Sequence, residues 1–259
     1  MKKLITLIAI FGFLIPSLSL ADPAFVQKKW AGAEGASTAY ITLPSTTTSG
    51  DTFVVNIFDY YNNTFTVTDS STGCGSPCNT WTTIITQTSS ATAAQQTVLY
   101  APNITGGANH TIKVTAGSAD YFLATVMEYS GLAASNLVDA TNSWNYVQDN
   151  GTIVTSTYQS KNITTTNATD LIVGGGGTIA LAGTSTPISP WTLAADSHGT
   201  SYNSQVEKYQ IVSATGTFNA SGVWNNANPV SGWVAAFKAA SAATTTTAAT
   251  MVFMWTGGD

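Results

Sequence analysis

Apolar residues alternate with polar ones along many short segments of this chain, and Gly, Asn, Pro and Ser separate the segments. Phe53, Val55 and Ile57 share one parity in G-D-T-F-V-V-N-I-F-D-Y. Phe65 and Val67 alternate with threonines in T-F-T-V-T, and Ile112 and Val114 do the same in H-T-I-K-V-T-A. Successive side chains of a strand point to opposite faces of its sheet, so a period of two over short stretches marks half-buried antiparallel strands. No segment after the leader carries a helical stripe. Charged residues make up only 8% of the chain, which would suit disorder, but 44% of residues are hydrophobic and 10% aromatic. Disordered chains are poor in aromatic and β-branched residues. The expectation is an all-β chain, an antiparallel β-sandwich of jelly-roll or Ig-like type, in one domain over residues 22–240.

An internal echo supports two similar sets of strands, each forming part of one sandwich. Q-T-V-L-Y-A-P-N-I-T-G-G-A-N runs from Gln96 to Asn109, and Q-V-E-K-Y-Q-I-V-S-A-T-G-T-F-N from Gln205 to Asn219. The Tyr100–Gly107 interval equals the Tyr209–Gly216 interval. The halves open alike, with G-D-T-F-V-V at Gly50 and T-D-L-I-V at Thr169, and close on the apolar strands Y-F-L-A-T-V-M-E-Y and G-W-V-A-A-F-K. Two copies with this period exclude a solenoid or a propeller.

The first residues are a targeting segment. Met1-Lys2-Lys3 is basic, Leu4 to Ile15 is largely apolar, and Ser19-Leu20-Ala21 offers small residues to a signal peptidase. Residues 1–21 therefore read as a signal peptide, too short to cross a ~30 Å hydrocarbon core as an anchor. The short basic leader is of bacterial type. Export to the periplasm, the cell surface or the extracellular space is the expected localisation.

Without the leader, six lysines face thirteen carboxyl groups, a balance of −7, and arginine is absent throughout. Clustered Lys and Arg are what nucleic-acid phosphates require, and a guanidinium fork is what bidentate anion recognition requires. Nucleic acid, nucleotides and anionic membranes are excluded as expected partners. No segment after the leader reads as a membrane span.

Cys74 and Cys78, in T-G-C-G-S-P-C-N, read as a disulfide pinning a loop, since the spacing is not C-x-x-C and zinc ligands are too few. His110 reads as a solvated strand-end histidine, and His198, in A-D-S-H-G, as part of a turn without a G-x-S-x-G elbow. The run Gly174 to Gly177 lacks the Lys-Ser/Thr of a phosphate loop and reads as a bulge or close sheet packing. No catalytic residue is assigned. Glu128 and Glu207 are the mid-strand carboxyls from which a glycosidase pair would be built. Glu128 ends a core-facing row, Glu207 beside Lys208 reads as solvent-facing, and the echo places Lys238 near the equivalent of Glu128. No cofactor is expected, with calcium at Asp59 or Asp69 the one alternative.

Aromatic residues in polar settings carry the functional hint. Trp81, Trp144, Trp191, Trp224, Tyr60, Tyr61, Tyr146 and Tyr202 sit among Asn, Thr and Ser. Sugar rings present apolar faces to aromatic rings while their hydroxyls bond amides. Trp144-Asn145-Tyr146 and Trp224-Asn225 are the candidate neutral-glycan platforms, weighed against ordinary core packing of tryptophan.

Together, G-D-T-F-V-V, T-V-T-D-S, V-L-Y-A-P-N, H-T-I-K-V-T, M-E-Y-S-G-L, D-L-I-V-G and W-V-A-A-F-K resemble repeat-type β-sandwich modules of bacterial exported and cell-surface proteins. The likeness spans Ala24 to Ala240 and implies adhesion or glycan binding, with no catalytic set to carry over. Residues 241–259 read as a Thr/Ala-rich linker and an apolar tail suited to self-association. The expected function is an exported, non-catalytic surface or adhesion module for neutral glycans or another surface protein. A structural self-assembling surface protein is the alternative, and a secreted carbohydrate-active enzyme stands behind both.

Overall fold

A computed structural model describes residues 22–89, 93–145, 157–179, 184–199, 203–224 and 231–241. The compact unit runs from Ala21 to Ala240. The expected signal peptide and nearly all of the C-terminal tail lie outside the described residues. The first half contains β1 (Ala24–Thr42), β2 (Thr52–Asp59), β3 (Phe65–Ser70), β4 (Thr82–Thr88), β5 (Gln95–Ala101) and β6 (Thr111–Ser130). The second opens with β7 (Val138–Asn145), β8 (Thr157–Gln159), β9 (Ile163–Thr164), β10 (Asp170–Thr178) and β11 (Ser185–Pro187). It closes with β12 (Thr192–His198), β13 (Ser204–Val212), β14 (Thr217–Phe218), β15 (Ser221–Trp224) and β16 (Ser231–Lys238). Every described pairing between these strands is antiparallel, and the described residues contain no helix. The chain is all-β and sandwich-like.

The echo is a repeated topology. The first large sheet runs β1-β6-β2-β5-β4, and the second, read in the same sense, runs β7-β16-β10-β13-β12. In the first half β3 and the end of β1 flank the N-terminal part of β6. The second half repeats this as the separate sheet β11-β15-β8. Bulges in β1 between Glu34 and Thr38 let the strand turn from one layer to the other.

Three cores result. Val54, Val98, Met127 and Tyr129 of the first sheet pack with Leu171, Val173, Trp233 and Phe237 of the second. Outside this central sandwich, Val55, Ile57, Leu99 and Val126 pack with Ile41, Val67, Ile112 and Val114. On the far side Ile172, Val234 and Ala236 pack with Ile163 and Ala220, and Val206 packs with Tyr158 and Trp224. The central strands β2 and β10 are consequently buried at every position rather than half-buried. Their alternation sorts side chains between two cores, not between core and water.

A buried polar band also crosses between the halves. Asn56 Nδ2 donates to Gln205 Oε1 (3.2 Å) and Glu207 Oε1 (2.7 Å), and Gln205 Nε2 donates to Thr125 Oγ1 (2.7 Å). Ser231 Oγ donates to Gln96 Oε1 at 2.8 Å, and Gln96 in turn donates to Asn56 Oδ1. Buried polar groups cost free energy unless paired, so this band favours one register of sheet on sheet. Gly174 to Gly177 answer the same close packing. A Cβ at Gly176 would lie 2.8 Å from the Tyr158 ring, and one at Gly177 would fall on the Phe58 ring.

Candidate functional site: a neutral groove beside a buried carboxyl pair

Of the expected platform residues Trp144, Asn145, Tyr146, Trp224 and Asn225, only Trp224 has a described side chain. Trp144 and Asn145 end β7 opposite Gly232 and Ser231, and their side chains lie outside the described residues, as do Tyr146 and Asn225. Trp224 is only 1% exposed, with its ring centroid 6.0 Å from that of Tyr158, so it is core rather than platform.

Titratable groups lie in the interior too, Glu128 as its core-facing row implied and others against expectation. Glu128 is fully buried and accepts hydrogen bonds from Gln27 Nε2 (2.5 Å) and Thr48 N (3.0 Å). Beside it, Asp51 is pushed up to about 7 by burial and then by the Glu128 carboxyl. Glu207 and Lys208 are both buried rather than solvent-facing. Burial pushes Glu207 up to about 8, against the Asn56 hydrogen bond, and pushes Lys208 down to about 7. Lys208 donates to Ser221 O and lies 4.9 Å from the Tyr158 ring centroid and 4.8 Å from that of Trp191. Glu128 and Glu207 occupy separate buried networks, so the candidate glycosidase pair does not face a shared cleft. Lys238, near the position equivalent to Glu128, pairs with Asp139 at 3.8 Å.

His110 likewise leaves the solvated loop expected of it. Its Nε2 lies 2.7 Å from Asp69 Oδ2 and its Nδ1 2.9 Å from Thr47 Oγ1, with all three residues buried. Thr47, His110 and Asp69 have the order of a nucleophile–base–acid relay, yet burial closes them to substrate. Asp69 also accepts from Asn79 N (3.0 Å) and Trp81 Nε1 (3.2 Å). Burial raises the Asp69 carboxyl, but hydrogen bonds from His110, Asn79 and Trp81 outweigh it and hold the group below its ordinary value. The cluster latches the loop of Cys74 and Cys78, whose Cα atoms are 5.6 Å apart at disulfide-bonding distance. Intact-mass analysis of the unreduced protein is expected to find no titratable thiol; two alkylated cysteines would contradict the linkage. His198 ends β12, 3.3 Å from Asp196 Oδ1 and 3.1 Å from Ser204 Oγ.

An open groove of about 370 Å³ lies in the first half. One wall is the loop Asn62, Asn63, Thr64 and Phe65; the other is Thr83 and Thr86 of β4 with Gln95 and Thr97 of β5. No lining side chain is ionisable. Asn62 takes a left-handed φ of 58°, which asparagine tolerates better than most residues, and this turns the chain after β2. Asp59 Oδ2 accepts the Asn63 N–H at 2.8 Å, and Gln95 Nε2 donates to Asn63 O at 2.7 Å, tying wall to wall. Thr88 Oγ1 donates to Asn62 Oδ1 at 3.0 Å. Tyr61, one residue before the wall, is 56% exposed, with its ring centroid 4.7 Å from that of Tyr60.

Asp59 and Asp120 form a buried pair alongside this wall. Asn63 Nδ2 donates to Asp120 Oδ2 at 2.5 Å while Tyr121 N donates to Asp120 Oδ1 at 2.6 Å. Burial, then the charge and hydrogen bond of Asp120, push Asp59 up to about 7, with the Asn63 N–H acting the other way. Both oxygens of Asp120 and of Asp69 accept N–H donors, whereas Asp59 Oδ1 is buried without a hydrogen-bond partner. Donors of this kind suit carboxyl oxygens and repel a cation, so the surroundings of Asp69 do not favour calcium.

Sequence reasoning noted Tyr60 and Tyr61 but missed the groove. The amide-rich run Y-Y-N-N-T was the available signal, whereas its opposite wall lies beyond an intervening strand in the chain. The chain matches no protein-family model, no curated protein and no solved structure. The resemblance to β-sandwich surface modules therefore rests on strand and turn patterns alone.

Proposed function

We propose that this chain is an exported, non-catalytic surface module that binds neutral glycans in the Asn62–Thr97 groove. The observation that carries the reading is the lining: amides, hydroxyls and one phenyl ring, without a charge. Amides and hydroxyls both donate and accept, as sugar hydroxyls do, and an uncharged ligand leaves no ionic group to desolvate. Phe65 supplies an apolar face, and wall-to-wall hydrogen bonds hold the groove before ligand arrives. The absence of arginine and the net negative charge fit a neutral ligand better than an anionic one.

The test is a screen of neutral oligosaccharides against the secreted chain and Thr83→Lys. Thr83 is exposed, so the lysine fills the groove without disturbing the core. Binding by the native chain that weakens at least ~10-fold in the variant is expected. Equal binding by both would remove the site. Failure of every glycan, with concentration-dependent association of the chain, would favour the self-assembling alternative.

A further inference from the structure

We propose that the open edge of the central sandwich carries a second ligand site, a groove that takes a small quaternary ammonium solute. The inference is independent of the glycan reading and concerns the edge of the first sheet opposite β4.

At this edge β1 and β12 are the outermost strands of the two large sheets, and β12 lies against β1 and β6. Trp30, Gly32 and Glu34 alternate along β1 and so share a face. They pair with Thr125, Leu123 and Tyr121 of β6. Thr125 Oγ1 lies 3.0 Å from Ser197 Oγ of β12, so this face is turned toward the second sheet. Among the described residues no strand pairs with the outer side of β1, and Trp30 keeps 38% of its surface exposed.

The three β1 residues line a groove of about 220 Å³ with Leu123 and with His198 and Gly199, where β12 ends. Gly32 keeps the middle of the β1 wall low, since a Cβ there would lie 2.8 Å from Leu123 Cδ2. Beyond Glu34 the register shifts at a bulge, with Gly35 at a φ of 72°, and bulges re-aim the side chains beside them. An indole and a carboxyl group therefore flank a low, apolar stretch of wall.

The lining selects the class of ligand. The indole, the leucine and the two glycines offer apolar surface, and only Glu34 and His198 are ionisable. His198 is held at both nitrogens, Nδ1 3.1 Å from Ser204 Oγ and Nε2 3.3 Å from Asp196 Oδ1, so a carboxyl group answers any proton on its ring. Lys28, the preceding residue of the row, pairs with Met127 and does not line the groove. The face of an indole attracts a cation, and the Glu34 carboxylate attracts it further. An ammonium with N–H bonds needs an acceptor for each of them, whereas the methyl groups of a quaternary ammonium need none and bury against apolar walls. A phosphate attached to the cation would meet Glu34 and the negative balance of the chain, so the free solute is the ligand.

The test titrates choline into the secreted chain while the Trp30 indole N–H is followed by nuclear magnetic resonance, its signal assigned by its absence from Trp30→Leu. A saturable shift is expected, with a dissociation constant on the order of 1 mM. The neutral isostere of choline, with carbon in place of nitrogen, should bind at least ~5-fold more weakly, and phosphocholine more weakly than choline. Trp30→Leu keeps an apolar side chain and loses the π face, while Glu34→Gln loses the charge. Each should weaken choline binding at least ~3-fold, read from the choline methyl signal. Both residues are exposed, so neither change opens the core. Tyr40→Ala removes an exposed aromatic of the same strand outside the groove and should retain binding. An unmoved Trp30 signal, equal binding of the isostere, tighter binding of phosphocholine or native affinity in both groove variants would overturn the assignment.

Discussion

The protein melts at its highest temperature near pH 4 and loses stability steadily as the pH is raised to about 8. Four buried carboxyls dictate this. Asp51 and Asp59 are held at about 7, Asp170 at about 6 and Glu207 at about 8, with burial the largest cause in each. The neighbouring carboxyls of Glu128, Asp120 and Asp139 add to the rise at Asp51, Asp59 and Asp170 respectively. In the unfolded chain these acids ionise near pH 4. Between that pH and the folded values the native state therefore binds more protons, and stability falls as pH rises. The fall begins above about pH 4 and ends once the folded values are passed.

Each fully buried group contributes up to ~1.4 kcal/mol per pH unit of its window. After allowance for relaxation, a total loss of at least ~3 kcal/mol between pH 4 and pH 8 is expected. Three groups act against the trend at the ends of the range. Asp69 and Asp139, held below their ordinary values, make stability fall again on further acidification. Lys208, pushed down to about 7, restores part of the stability above that pH, where the unfolded chain alone keeps binding its proton. Thermal melts from about pH 3.5 to about pH 9 test the curve, with Asp51→Asn and Asp59→Asn each expected to flatten it. A melting temperature that is level or rises between pH 4 and pH 8 would refute this account of the buried carboxyls.

Adding one methyl group to the glycine run is expected to be the most damaging substitution in the second half. Gly174 and Gly176 face the outer core, where a Cβ would lie 2.5 Å from the Ala220 Cβ and 2.8 Å from the Tyr158 ring. Gly175 and Gly177 face the first half. A Cβ at Gly175 would collide with the Val206 carbonyl, and one at Gly177 would lie 2.6 Å from Phe58 Cε2. Close-packed interiors resist such additions because backbone must move to admit them. Gly177→Ala should cost about 3 kcal/mol, read from the urea midpoint. Combining it with Phe58→Ala should cost at least ~1 kcal/mol less than the sum of the two single changes, since the ring is what the methyl strikes. Strict additivity would mean that the halves do not meet at this contact.

Much of the fold was legible in the residues. The parity of Phe53, Val55 and Ile57 named a shared face, and Tyr100 and Tyr209 marked strands that are topologically equivalent, β5 and β13. Reading Gly174 to Gly177 as close sheet packing also holds. His110, Glu207, Lys208 and Trp224 were misplaced for one physical reason. Polar neighbours in sequence suggested water, whereas their neighbours in space are Asp69, Asn56, Ser221 and Tyr158, supplied by distant strands. A buried polar group survives only with such partners, and no local pattern announces a partner a hundred residues away.

The amino-acid sequence by itself determined the strands, their doubling and the loop carrying the cysteines, and its lack of arginine is the ground for expecting no arginine-dependent partner. A period of two states which side chains share a face, and it is silent about what covers either face. Only the tertiary structure decided that both faces of β2 and β10 are buried, that carboxyls meet in pairs, and that an uncovered stretch between the Asn62 loop and β4–β5 forms a neutral groove. Those outcomes depend on how whole sheets stack, and stacking is set by contacts between residues far apart in the chain.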